Sequence, residues 1–194
     1  LFFPRTWGTA GYLGLDIIWR EDARLIERSW GDMDVCTEEE RQAKFSDFLR
    51  RKAIDPLGCR PPNGETMYEA MNRCWMFLQT VYREFPQERL IIVCHGEMIW
   101  PFRILLERID AARYLDMCLE NNDLDRVNNC QIIRYMRQNP ETGEKSLAFR
   151  WKQSVCPWDL SRSPNIIERI ERRAFSNDEL LSMVERFPRV FDTS

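Results

Sequence analysis

The sequence predicts an α/β domain built on a mixed, mostly parallel β-sheet covered by helices, and three observations carry that prediction. The run Leu90-Ile91-Ile92-Val93-Cys94-His95 is apolar without alternation, the pattern of a strand buried on both faces. Helical periodicity brackets it, with Met67, Met71, Cys74, Leu78, Val81 and Phe85 before it and Pro101, Ile104 and Leu105 after it. Two further β-prone segments, Cys130 to Met136 and Ser146 to Gln153, enclose Asn139-Pro140-Glu141-Thr142-Gly143, which predicts an antiparallel hairpin at the sheet edge.

The helix boundaries follow from local chemistry. Thr37 with Glu40, Thr66 with Glu69, and Ser176 with Glu179 each place a hydroxyl three residues before a carboxylate, so that side chain and backbone satisfy each other at a helix start. Pro86 closes the long helix that Thr66 opens, and Arg89 to Cys94 then reads as strand. Asp110 is placed to cap a short helix ending at Leu119, followed by the turn-forming Asn121-Asn122-Asp123 and Asn128-Asn129. Beyond Trp158 the chain turns polar and Arg-rich, which predicts a C-terminal extension from about residue 157 on a single domain spanning 1–194.

Composition excludes several classes. Lys+Arg at 28 against Asp+Glu at 31 gives a net charge of −3, which argues against general affinity for nucleic acid or a membrane surface, so any anion binding must be local. The apolar runs fall short of a membrane span, and Leu1-Phe2-Phe3-Pro4-Arg5 lacks the regions of a signal peptide. Seven cysteines without a C-x-x-C pair, and a single histidine, complete no common zinc site. Reduced thiols, a cytoplasmic location, no metal and no cofactor are the expectation. Cys94 beside His95 reads as core packing, because neighbours on a strand point to opposite faces.

His95 ends the apolar run where a helix begins. Parallel sheets bind ligands beyond the carboxyl ends of their strands, and the N–H groups of Gly96 and Glu97 at the helix start suit an anion such as phosphate or carboxylate.

In order along the chain, Arg5-Thr6-Trp7-Gly8-Thr9-Ala10, Leu25-Ile26-Glu27-Arg28-Ser29-Trp30-Gly31-Asp32, Pro62-Asn63-Gly64-Glu65-Thr66, Val93-Cys94-His95-Gly96-Glu97 and Asn129-Cys130 resemble the motifs of the histidine phosphatase, or phosphoglycerate mutase-like, superfamily. The resemblance implies a three-layer sandwich with helices on both faces of the sheet. It also implies a first strand ending in R-H-G, which would lie before Leu1 and supply the nucleophilic histidine. The natural polypeptide is therefore expected to continue upstream. A chain truly lacking that strand would be a phosphate-binding pseudoenzyme.

In the chemistry the resemblance implies, Arg5 and His95 bind phosphoryl oxygens, the Gly96 and Glu97 N–H groups add to the cradle, and Glu27 protonates the leaving oxygen. Trp30 either lines the pocket or packs in the core. Glu65 either contacts substrate or favours the following helix through its dipole. Arg50-Arg51-Lys52 reads as a solvated helix face, whereas in the mutase branch a tandem arginine contacts the substrate carboxylate. The implied partner is a small phosphorylated substrate or inorganic phosphate. A phosphomonoesterase is favoured over a mutase, because little chain separates Arg51 from Gly64 and because Glu97-Met98 follows the H-G pair.

Overall fold

The computed structural model describes residues 4–119, 124–163, 165–171 and 174–185. Six helices come first: α1 (Pro4–Tyr12), α2 (Glu38–Lys44), α3 (Ser46–Ile54), α4 (Met67–Glu84), α5 (Gly96–Glu107) and α6 (Ala111–Leu119). Strands β1 (Ile132–Met136), β2 (Trp151–Val155) and β3 (Ile167–Arg169) follow, then α7 (Asn177–Glu185).

All three capping boxes are formed. Thr37 and Thr66 accept from the backbone of Glu40 and Glu69 while those carboxylates accept from the cap backbone, and Ser176 and Glu179 do the same ahead of α7. Asp110 Oδ1 accepts from the Arg113 N–H at the start of α6. Residues 121–123 lie outside the described residues.

The core is helical. Ala70 and Cys74 of α4 meet Met98 and Phe102 of α5, with Leu25, Leu78, Cys94 and Leu105 packed around them. Leu57, Met67, Ile104 and Tyr114 continue this layer toward α6. A separate cluster of Met33, Phe48 and Cys59 lies against Trp30. Each large apolar side chain so buried contributes roughly 1.5–3 kcal/mol, and together they fix the start of α5 against α4.

The sheet differs from the expectation. Its three strands run in the order β1-β2-β3 and every pairing is antiparallel, Ile132 opposite Val155 through Met136 opposite Trp151, and Trp151 opposite Arg169 through Gln153 opposite Ile167. The mostly parallel sheet with helices on both faces is not observed among the described residues. Residues 89–94 form no strand, and Leu90, Ile91 and Ile92 are 43%, 52% and 36% exposed. A parallel strand needs a neighbour reached through a crossover, and no described residue pairs with this run. The β-propensity of the run is real, but a ladder is a property of two segments.

The hairpin is present with β2 shifted later than expected. Asn139 Oδ1 accepts from the Glu141 and Thr142 N–H groups to shape its loop, and Gln138 bridges Lys145. Strand β3 was not anticipated, being three residues long and within the polar stretch after Trp158. Helix α5 is tied to the sheet by a buried carboxylate. Glu107 accepts from Arg103 Nε at 3.0 Å, Tyr135 Oη at 2.8 Å and Lys152 Nζ at 2.8 Å. Burial works to raise its pKa, but Arg103 and Lys152 outweigh burial and hold it below the usual range. Among the described residues no helix is long and apolar enough to cross a membrane.

Candidate active site

Two glycines bring the site together. Gly31 has φ +58°, and a Cβ there would lie 2.0 Å from the Pro62 carbonyl oxygen; a Cβ on Gly64 would lie 2.8 Å from the Ser29 carbonyl oxygen. Only glycine permits so close a backbone approach. The segments around them are zipped by Asp32 N–H to Pro62 O at 3.0 Å and Glu65 N–H to Ser29 O at 2.9 Å. The Asn63 side-chain amide adds bonds to both Asp32 oxygens. The glycines of the second and third motifs thus serve one contact, which holds residues 27–32 beside the start of α4.

Glu27 and His95 meet across this assembly, Glu27 Oε2 lying 3.9 Å from His95 Nδ1 with side chains 23% and 9% exposed. Burial pushes the Glu27 carboxyl up to about 7; the Arg28 backbone N–H opposes this, the Glu97 carboxylate reinforces it, and Arg5 and Arg73 oppose it. Burial, with Arg5 next, pushes the His95 imidazole below its ordinary value. At neutral pH the site therefore holds a carboxyl able to give a proton beside a neutral imidazole.

His95 is the N-cap residue of α5, and Gly96 and Glu97 open the helix. A Cβ on Gly96 would meet nothing within 4 Å, so no close packing demands a glycine there. Arg5 lies on the exposed side of α1, near enough for its charge to act on both Glu27 and His95. The structure thus brings Arg5, Glu27, His95, Gly96 and Glu97 to one place. Cys94 packs into the α4–α5 core instead, and burial pushes its thiol up to about 12.

The remaining candidates divide. The Trp30 ring packs edge-on against Phe48 at 6.3 Å and carries two cations, Arg28 and Lys52, each 4.5 Å from its centroid. Arg50 and Arg51 face solvent from α3, Arg50 pairing with Asp47. Lys52 is the member of that basic run turned inward, because it follows the buried Phe48 by one helical turn. The Glu65 carboxylate is held by Arg73 through Nε at 2.6 Å and Nη2 at 2.8 Å.

Lys52 thus departs from the solvated face expected of its run, and Arg28 and Arg73 take roles that the sequence does not assign them. Arg28 is 1% exposed; its Nη1 meets Glu97 Oε2 at 2.9 Å and its Nε donates to the Glu65 carbonyl at 2.9 Å. Its place in the second motif, beside Glu27, is the sequence signal for it.

In this α/β domain a part-buried carboxyl with a raised pKa, a histidine at a helix start and an arginine whose charge reaches both are brought together. The chain belongs to the histidine phosphatase superfamily (branch 1), whose pattern matches residues 3–131. It is 27% identical over 114 residues to the uncharacterized phosphatase PhoE of Bacillus subtilis (strain 168), a match covering 57% of this chain and 52% of that protein. The chain therefore spans about half the length of the curated relative it matches. Among solved structures, a mycobacterial glucosyl-3-phosphoglycerate phosphatase in complex with inorganic phosphate aligns with a TM-score of 0.52 at 21% identity, over 57% of this chain and 58% of that one. A second, titled mycobacterial hydrolase 2, aligns with a TM-score of 0.53 at 16% identity, over 95% and 75%. At these identities the structural likeness concerns the fold.

Proposed function

We propose that this chain carries the phosphate pocket and general acid of a metal-independent phosphomonoester hydrolase acting on a small phosphorylated substrate in the cytoplasm, with its nucleophilic histidine supplied upstream of Leu1. The observation that carries this reading is the Glu27 carboxyl, raised to about 7 and set 3.9 Å from His95. A general acid works best with a pKa near the operating pH.

In the proposed reaction the upstream imidazole attacks phosphorus in line, forming a P–N bond as the ester P–O bond breaks. Arg5 holds phosphoryl oxygens with its fork of donors, His95 donates an N–H, and the Gly96 and Glu97 N–H groups complete the cradle. Glu27 gives its proton to the departing alkoxide. The carboxylate so formed then takes a proton from water, whose oxygen bonds to phosphorus as the P–N bond breaks, and the starting state is restored. Water as acceptor, rather than a retained substrate, is the reading supported by the phosphatase relative.

The test uses the polypeptide extended upstream, assayed for phosphate release from p-nitrophenyl phosphate and from an alkyl phosphate. His95→Ala is expected to lower kcat about 100- to 1000-fold on both. In kcat/KM, which reports phosphoryl transfer to the histidine and not the later hydrolysis, Glu27→Gln should spare the nitrophenyl ester, whose leaving group needs no proton, and slow the alkyl ester about tenfold or more. Equal loss of kcat/KM on both esters would remove Glu27 from the acid role.

A further inference from the structure

Arg28 directly follows the general acid and Glu97 lies two residues beyond His95, yet the two are joined by a 2.9 Å ion pair across 69 residues of sequence. Arg28 reaches three segments at once. Its backbone N–H donates to Glu27 Oε1 at 3.0 Å, its Nε to the Glu65 carbonyl, and its guanidinium lies against Trp30. The side chain is 1% exposed, and among the described residues its Nη2 has no hydrogen-bond partner. A buried arginine with one nitrogen left unsatisfied cannot shift to a solvated position without losing its other bonds, so its single carboxylate partner fixes where it sits.

We infer that the Arg28–Glu97 pair is the positioning device of this site, locking the loop that carries Glu27 to the start of α5 and so holding Glu27 beside His95. This rests on the general-acid reading above. Arg28 and Glu97 are positioning residues here, distinct from the backbone N–H of Glu97 that faces the phosphoryl group. The charged and titratable groups around Glu27 come from every packed element: Arg5 from α1, Arg28 from its own loop, Arg73 from α4, and Cys94, His95 and Glu97 at the entry to α5. Of these Glu97 supplies the negative charge that favours a protonated Glu27, while Arg5 and Arg73 favour the ionised form. Removing the Glu97 charge also leaves Arg28 uncompensated, which acts on Glu27 in the same direction.

The test is a pH titration of the polypeptide extended upstream, labelled with carboxyl-13C glutamate and followed by NMR, with the Glu27 resonance assigned from its loss in Glu27→Gln. In Glu97→Gln the Glu27 midpoint is expected to fall by on the order of one pH unit, the size expected for removing one neighbouring charge at a partly buried site. Should Glu97→Gln fail to fold, Glu97→Asp withdraws the carboxylate from Arg28 and is expected to lower the midpoint by a few tenths of a unit. An unchanged midpoint in the folded variant overturns the inference while leaving the general acid intact. A wild-type midpoint at the ordinary glutamate value of about 4.3 would instead overturn the general-acid reading, and this inference with it.

Discussion

Replacing Glu27 by Gln should make this protein more stable at alkaline pH. The carboxyl has a pKa of 4.5 when unperturbed and about 7 in the fold, which places the ionised form about 3 kcal/mol at a disadvantage in the folded state. Because the side chain is 23% exposed, solvent reduces this to about 2–3 kcal/mol. The folded pKa is raised, so the folded state binds the proton more tightly than the unfolded chain does. The associated stability is fully present below about pH 4.5 and is lost as pH rises through about 7. Glutamine keeps an oxygen for the Arg28 N–H and has nothing to titrate. Urea unfolding of wild type and Glu27→Gln at pH 4 and pH 8 is therefore expected to show the variant gaining about 2–3 kcal/mol relative to wild type across that interval. A difference independent of pH, or one that moves toward wild type as pH rises, would refute a carboxyl held protonated by burial.

Two substitutions test the scaffold. Glu107→Ala leaves Arg103 and Lys152 without their shared carboxylate and is expected to cost about 3–5 kcal/mol; an unchanged urea midpoint would show that α5 and the sheet are not tied through it. Gly31→Ala forces a left-handed φ and a Cβ against the Pro62 carbonyl, for a loss of at least about 2 kcal/mol by thermal unfolding. A neutral outcome would mean that the Gly31–Gly64 contact does not fix the Glu27 loop.

What could be read from the sequence was what residues dictate locally. The capping boxes at Thr37, Thr66 and Ser176, the Asp110 cap and His95 at the head of α5 depend on neighbours three or four positions away, and all are formed. That Glu27 and His95 lie close together was legible through the motif resemblance, since nothing in a lone glutamate announces its neighbour. The sheet was not legible. Residues 89–94 have the composition of a buried strand, but strandedness requires a partner, and none of the described residues supplies one. Strand β3 is too short to show periodicity. Arg28 was hidden for a different reason: among 28 basic residues, only the fold reveals that this one is buried and that its partner is Glu97.

The most direct test of the central claim, that Arg5, Glu27, His95 and the head of α5 form a phosphate pocket, is a titration of the 15N-labelled chain with inorganic phosphate at pH 7, following amide and imidazole resonances. Saturable shifts at Gly96, Glu97 and the His95 ring, abolished by Arg5→Ala, are the expected result. Phosphate that leaves these resonances unmoved, or moves only those of solvent-facing residues such as Arg50 and Arg51, would contradict the assignment.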